Sequence, residues 1–133
     1  MTKMDQTAFD AFISAPRIAH LVTLHPDGAP HAAPVWYEYT GGRFFVFTPG
    51  TSVKLDKIRR DPRVTISIAS EDEPYRYVTA EGVAGLTSEG VDAQVLSIAT
   101  RYRGTGAKRF LAPLQDLHLI SITPSKLSTY VGT

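Results

Sequence analysis

The sequence predicts a mainly β protein with α elements, its strands rolled into a closed or nearly closed barrel and about three helices placed outside. Three observations carry this. About seven short apolar runs follow one another with turn residues between them. Helical patterns are inserted singly, so the chain does not alternate strand and helix as parallel βαβ units do. Gly82 and Gly85 interrupt the longest strand candidate, where glycines serve a bulge or a barrel corner. At 133 residues the chain reads as one domain, 1–133, large enough to bury roughly two-thirds of its unfolded surface.

Taken in order, Asp5 to Ala15 places Ala8, Phe9, Phe12 and Ile13 at helical spacing and stops before Pro16. Ile18 to Leu24 is strand-like, His25-Pro26-Asp27-Gly28 is a turn, and Pro30 onward is extended; the first three strands are expected to form a meander. Val35 to Tyr39 and Arg43 to Thr48 flank Thr40-Gly41-Gly42, a strong hairpin signal. The turn Pro49-Gly50-Thr51-Ser52 leads into a helix over Val53 to Arg60, which Asp61-Pro62 stops because a residue before proline avoids helical angles. Arg63 to Ala69 is the next strand, 70–74 an acidic loop, and Tyr75 to Leu86 the long strand. Ser88 is the expected cap of a helix running to about Tyr102, with Val91, Val95, Ile98, Ala99 and Tyr102 on one stripe. Gly104-Thr105-Gly106 ends it, and Lys108 to Pro113 is a loop or helical turn. Leu117 to Thr123 and Lys126 to Val131 complete the set as two strands around Pro124-Ser125.

Composition narrows the function. The chain has no cysteine, so thiolate metal sites, disulfides and cysteine nucleophiles are excluded. Its four histidines show no paired spacing, and no metal site is expected. A net charge of +1 supplies no global field for nucleic acid or an anionic membrane, and no apolar run approaches the roughly 18 residues of a span. No signal peptide is visible, and a cytoplasmic protein is expected.

The chemistry-bearing stretch is the turn before the second helix. Free N–H groups at a helix start, the hydroxyls of Thr51 and Ser52 and the ammonium of Lys54 suit an anion, best a phosphate. The plainer reading is that Lys54, Lys57, Arg59, Arg60 and Arg63 form a solvated face; the turn raises the phosphate reading to parity with it. Helical spacing puts Lys57 near Lys54 and turns Arg59 away. Arg101, Arg103, Lys108 and Arg109 form a second cluster, expected as a solvated helix end. Of Trp36 and Tyr37 one should face inward and one outward, and only the outward ring can meet a ligand. His25 and His31 read as loop residues. The turn lacks the second glycine of a hydrolase elbow, and Arg109 stands where a dinucleotide fingerprint needs its third glycine. With no acid–base dyad in view, chemistry would be carried by a bound cofactor, and no catalytic residue is assigned.

Leu21-Val22-Thr23-Leu24 with Asp27-Gly28, Pro30-His31, Pro34-Val35-Trp36-Tyr37, Thr48 with Gly50, Ser52 and Lys54, and Asp61-Pro62-Arg63-Val64 resemble the pyridoxamine 5'-phosphate oxidase-like split-barrel superfamily. Pro74 to Val78 with Glu81-Gly82, and Arg101-Tyr102-Arg103-Gly104, are similar to its branch that uses the deazaflavin coenzyme F-420. The resemblance implies a split β-barrel homodimer with cofactor sites at the interface. It implies that Lys54 and Ser52 hold the cofactor phosphate, with Thr48 beside its chain, and that Pro34, Val35 and Trp36 run along the ring. It implies further that Tyr75, Arg76 and Tyr77 approach from the partner subunit and that Tyr130 supplies a C-terminal aromatic. Ser52-Val53-Lys54 lacks the arginine expected of a clamp on FMN phosphate, whereas Lys57 adds an ammonium for a longer anionic tail.

The expected function is therefore transfer of hydride from reduced F-420 to an unsaturated or conjugated organic acceptor. An FMN-dependent reductase or oxidase is the alternative, followed by a non-catalytic flavin or deazaflavin binder. Neither nucleic acid nor membrane is expected as a partner.

Overall fold

The computed structural model describes residues 3–132, so residues 1, 2 and 133 of the expected domain lie outside the described residues. Helix α1 (Gln6–Ser14) is capped by the Asp5 carboxylate, which accepts from Ala8 N–H. Strands β1 (Ala19–Leu24) and β2 (Pro30–Val35) form a hairpin, as do β3 (Glu38–Thr40) and β4 (Arg43–Pro49). Helix α2 (Val53–Arg60) precedes β5 (Arg63–Ala69) and β6 (Arg76–Thr87). Helix α3 (Asp92–Arg103), a 3₁₀ turn and the short α4 (Ala107–Leu111) lead to β7 (Leu117–Val131).

All seven strands lie in one antiparallel sheet, ordered β2-β1-β5-β6-β7-β4-β3. β2 and β3 are thus its two edges, yet only Trp36 and Tyr37 separate them in sequence. Three Cα steps reach no more than about 11 Å, so the edges must lie side by side. A covalent link closes the sheet where hydrogen bonds do not, which makes the molecule a split barrel. Leu21, Tyr37, Phe44, Val46, Ile66, Ile68, Val78, Ile120 and Ile122 fill its interior, and Phe9, Phe12 and Ile13 of α1 close one end.

The expected meander of the first three strands is corrected by this order. The chain leaves the ladder after Val35: Tyr37 N–H donates to the Tyr102 hydroxyl at 3.1 Å, and β3 resumes on the far edge. Val35 to Tyr39 is therefore not one strand. The two expected final strands are one. Glu81 pairs with Lys126 and Gly82 with Pro124, leaving Ser125 as the extra residue of a bulge that tolerates the proline's missing N–H. At Gly82 a Cβ would lie 2.2 Å from the Thr123 carbonyl oxygen, so the close approach requires glycine. Ser88 does not cap α3: Gly90, with φ of 66°, turns the chain first, and the helix starts at Asp92. Of the two readings of Lys108 to Pro113, loop or helical turn, the helical one holds for its first part, which lies in α4, Ala107–Leu111.

Candidate functional site

A cleft of about 220 Å³ is lined by Ile18, Pro34, Val35, Trp36, Phe47 and Lys54. It brings together four of the expected site residues, from the end of β2, the inter-edge link and the first turn of α2. A larger hollow of about 340 Å³ lies on the outer sheet face between Val22, Arg63, Glu81 and Val83. Its charges are already matched, Arg63 with Asp61 at 2.7 Å and Glu81 with Lys126 at 3.8 Å. The smaller cleft has an unmatched charge.

That charge is Lys54. Among the described residues neither it nor Lys57 has an ion pair or a side-chain hydrogen bond. Partial burial and then the neighbouring Lys57 pull the Lys54 pKa below its ordinary value, because both disfavour the ammonium. The α2 backbone offers less than the sequence suggests: Ser52 Oγ accepts Lys54 N–H at 3.3 Å, the Ser52 carbonyl accepts Leu55 N–H, and Gly50 N–H donates to Asp116 O. What faces an incoming anion is chiefly side-chain chemistry, with the Ser52 hydroxyl hydrogen still available to donate.

The ring end of the cleft is rigid. Side chains alternate, so Trp36 points out while Tyr37 is wholly buried. The Trp36 ring stacks on Tyr102, centroids 4.8 Å apart and planes within 4°, and packs beside Phe110 at 5.0 Å and Phe47 at 6.3 Å. Tyr37 Oη lies 2.9 Å from Ile13 O and 3.1 Å from Ala15 O, and burial pushes its pKa up to about 12. Of the cluster expected as a solvated helix end, Arg103, Lys108 and Arg109 are exposed, but Arg101 is not free: it donates to Tyr37 O at 3.0 Å, Ser14 O at 2.9 Å and Ala15 O at 3.2 Å. Arg103 instead lies over Trp36, its guanidinium 5.6 Å from the ring centre.

The remaining expected residues are not in this cleft. Thr48 is buried on the inner face of β4, opposite in direction to Phe47. Thr51 lies in the turn before α2 and Lys57 one turn beyond Lys54. Tyr75, Tyr77 and Tyr130 form their own cluster, Tyr77 stacked on Tyr130 at 5.3 Å. Following the register from Val35 through Ala19 and Ile68 to Val78, the neighbour of Tyr77, crosses three strand spacings, roughly 14 Å along the sheet. Arg76 is engaged with Asp72 at 2.8 Å and with Pro74 O.

Sequence reasoning overlooked His31. It stands in β2, not in a loop, directly opposite Thr23 of β1. Thr23 Oγ1 and His31 Nδ1 are buried without hydrogen-bond partners. Ile18 and Phe47 were also missed as cleft walls, although alternation around inward-facing Val46 and Thr48 marks Phe47 as outward. Among the described residues no three His, Cys, Asp or Glu side chains converge on a metal position, and no helix is long and apolar enough to cross a membrane.

The profile of the family described as pyridoxamine 5'-phosphate oxidase matches residues 6–130. Among solved structures, a conserved hypothetical protein, Rv2991 of Mycobacterium tuberculosis, superposes with a TM-score of 0.83 at 26% identity, covering 96% of this chain and 85% of that one. A protein titled F420 reductase gives a TM-score of 0.74 at 25% identity, with 90% and 94% coverage. A FAD-binding protein of Mesorhizobium loti, at 20% identity, TM-score 0.73 and 99% and 98% coverage, shares the fold. No curated protein matches. A match over nearly the whole chain, on a split barrel whose cleft joins an aromatic wall to an unpaired lysine, places this chain in the pyridoxamine 5'-phosphate oxidase family.

Proposed function

We propose that the protein is a homodimeric, cytoplasmic oxidoreductase that uses reduced coenzyme F-420 to deliver hydride to an unsaturated or conjugated organic acceptor. The observation that carries this is the cleft itself: Pro34, Val35, Trp36 and Phe47 make an apolar wall for a planar ring, and Lys54 stands at its end without a counter-charge. A ring system bearing a phosphate matches both features at once. The buried, unpartnered Thr23 Oγ1 and His31 Nδ1 fit a polar ligand continuing past α2. Lys57 favours a ligand with more negative charge than one phosphate, hence F-420 over FMN.

When bound, reduced F-420 would supply the hydride. The chain's own part is position and electrostatics: Lys54 and the Ser52 hydroxyl hold phosphate, the β2 end and Trp36 fix the ring plane, and Phe47 and Ile18 exclude water from that wall. Tyr75, Arg76, Tyr77 and Tyr130 lie too far from the cleft of their own chain to complete it. We assign them to the site of the second subunit, with Tyr75, Tyr77 or solvent returning the proton that the reduced product needs. Tyr75 is half exposed, as that role requires.

FMN is the second reading, since Ser52 and Lys54 would hold its phosphate equally. Parallel titration of the cofactor-free protein with F-420 and FMN, followed by ring fluorescence at physiological salt, decides. Much tighter F-420 binding is the expected result; tighter FMN binding moves the protein to flavin chemistry. Binding of F-420 without turnover across a broad acceptor panel would make it a carrier. A monomer by sedimentation would remove the shared-site assignment.

A further inference from the structure

His31 lies outside the cleft lining, on β2, whose partner strand β1 is the one α2 packs against. Along β2 it is three residues from Pro34, about 10 Å, and α2 places Lys57 one turn beyond Lys54, about 4.5 Å further along. α2 packs on β1, and its Arg60 reaches the Leu24 carbonyl, one residue beyond the Thr23 that pairs with His31. The helix carrying Lys54 and Lys57 therefore lies against the hairpin that carries His31, and the charges of both lysines act on the His31 imidazole. Its Nδ1 is buried without a partner, and so is the hydroxyl of the opposing Thr23, which is 1% exposed. Two polar atoms on paired strands, each buried without a partner, are costly unless something polar fills the space beside them.

We propose that His31 is a third anion-binding side chain of this groove, and that its imidazole takes up a proton as an oxyanion, carboxylate or phosphate, docks between it and Lys57. The inference rests on the reading of this groove as the anionic end of the cofactor site. The groups that bear on His31 are Lys57 and Lys54 of α2 and His25 of the β1–β2 turn, whose ring centre is 5.3 Å away. Thr23 is the facing group on β1. Nearby acids are occupied elsewhere: Asp27 accepts Ala29 N–H, Asp56 pairs with Arg59 and Asp61 with Arg63. Arg60 is a further cation nearby, donating to the Leu24 carbonyl one residue beyond Thr23. Without an anion, Lys57 first, then burial, His25 and Lys54, hold the His31 pKa below its ordinary value. An incoming negative charge reverses the largest of these effects and favours the imidazolium.

The test is a histidine NMR pH titration of the full chain in sodium sulfate and in sodium chloride at matched ionic strength. Sulfate is the probe because its own charge does not change across the histidine range. His25→Gln and His31→Gln assign the signals. The expected result is a His31 titration below the ordinary range in chloride that moves upward in sulfate. Sulfate affinity should rise as pH falls, by at most about tenfold per pH unit for one linked proton. That slope should vanish in His31→Gln and survive in His25→Gln. An unmoved His31 titration, whether sulfate binds or not, overturns the proposal, as does a slope that persists in His31→Gln. F-420 titration at fixed pH 8 separates the two readings: cofactor binding with His31 unmoved overturns only this inference. A sulfate-coupled His31 without cofactor binding overturns only the cofactor reading.

Discussion

Arg101 stands behind the ring end of the cleft and Lys54 at its anion end, and their surroundings are opposite. Arg101 donates to three main-chain carbonyls, those of Tyr37, Ser14 and Ala15, so its charge closes off the ends of α1 and of the inter-edge link. Lys54 is partly buried, pressed by Lys57, and faces no acid. A partnered cation holds structure together, whereas an unpartnered one in a cleft is held ready for a ligand. The same contrast separates Tyr37, whose hydroxyl is satisfied, from His31 and Thr23, whose buried atoms are not.

The widest gap between the two ends should appear in Arg101→Ala. Three carbonyls lose a charged donor, and folding stability should fall by about 3 kcal/mol in denaturant titrations. Arg101→Lys should recover little, since an ammonium cannot present the same fork. The counterpart, Lys54→Ala, should weaken cofactor binding by roughly 1.5–3 kcal/mol while moving stability by less than about 0.5 kcal/mol. Unchanged affinity would remove Lys54 from the site, and a large stability loss would make it a structural cation like Arg101. Tyr37→Phe deletes one hydroxyl from the finished end and should cost about 1–2 kcal/mol of stability, read the same way.

The smallest effect is in pH dependence. His31 has its folded pKa lowered from 6.5, so the unfolded chain binds more protons once pH falls through 6.5. Its contribution to stability is complete above 6.5 and is lost as pH drops toward the lowered value. Thermal melts across pH 5 to 8 should show that decline, and His31→Gln should flatten it.

What was legible in the sequence was local. The turn Pro49-Gly50-Thr51-Ser52, the helix over Val53 to Arg60 and its stop at Asp61-Pro62 need only neighbouring residues, and the helix bounds match α2 to the residue. The hairpin around Gly41-Gly42 is of the same kind, both glycines having positive φ. Apart from Ser88, displaced as a cap by the nearby Gly90 turn, the failures depend on distant partners. Nothing near Trp36 says that Tyr102 will take the Tyr37 N–H and let the chain cross between sheet edges. Pro124 looks like a strand break until Gly82 is placed opposite it. Arg101 reads as a solvated helix end because its acceptors, the carbonyls of Ser14, Ala15 and Tyr37, lie more than sixty residues earlier in the chain. His31 carries no spacing signature; its meaning comes from registration with Thr23 and from α2 above it.

The two-residue link between β2 and β3 also fixes when the cleft can exist. Its walls belong to β2, the link, β4 and α2, and β4 joins the rest of the sheet only through β7, where Phe44 pairs with Ile122. Contacts so distant in sequence put folding on the order of milliseconds to seconds, with closure of the seam among the late events. Trp36 sits on that seam and is the chain's single tryptophan. Its emission therefore reports one event in two guises, the last stage of refolding and the arrival of a ring against the finished wall. A ligand at a hundred times its Kd would stabilise the folded barrel by about 2.7 kcal/mol, so cofactor supply would shift the population that keeps this seam closed.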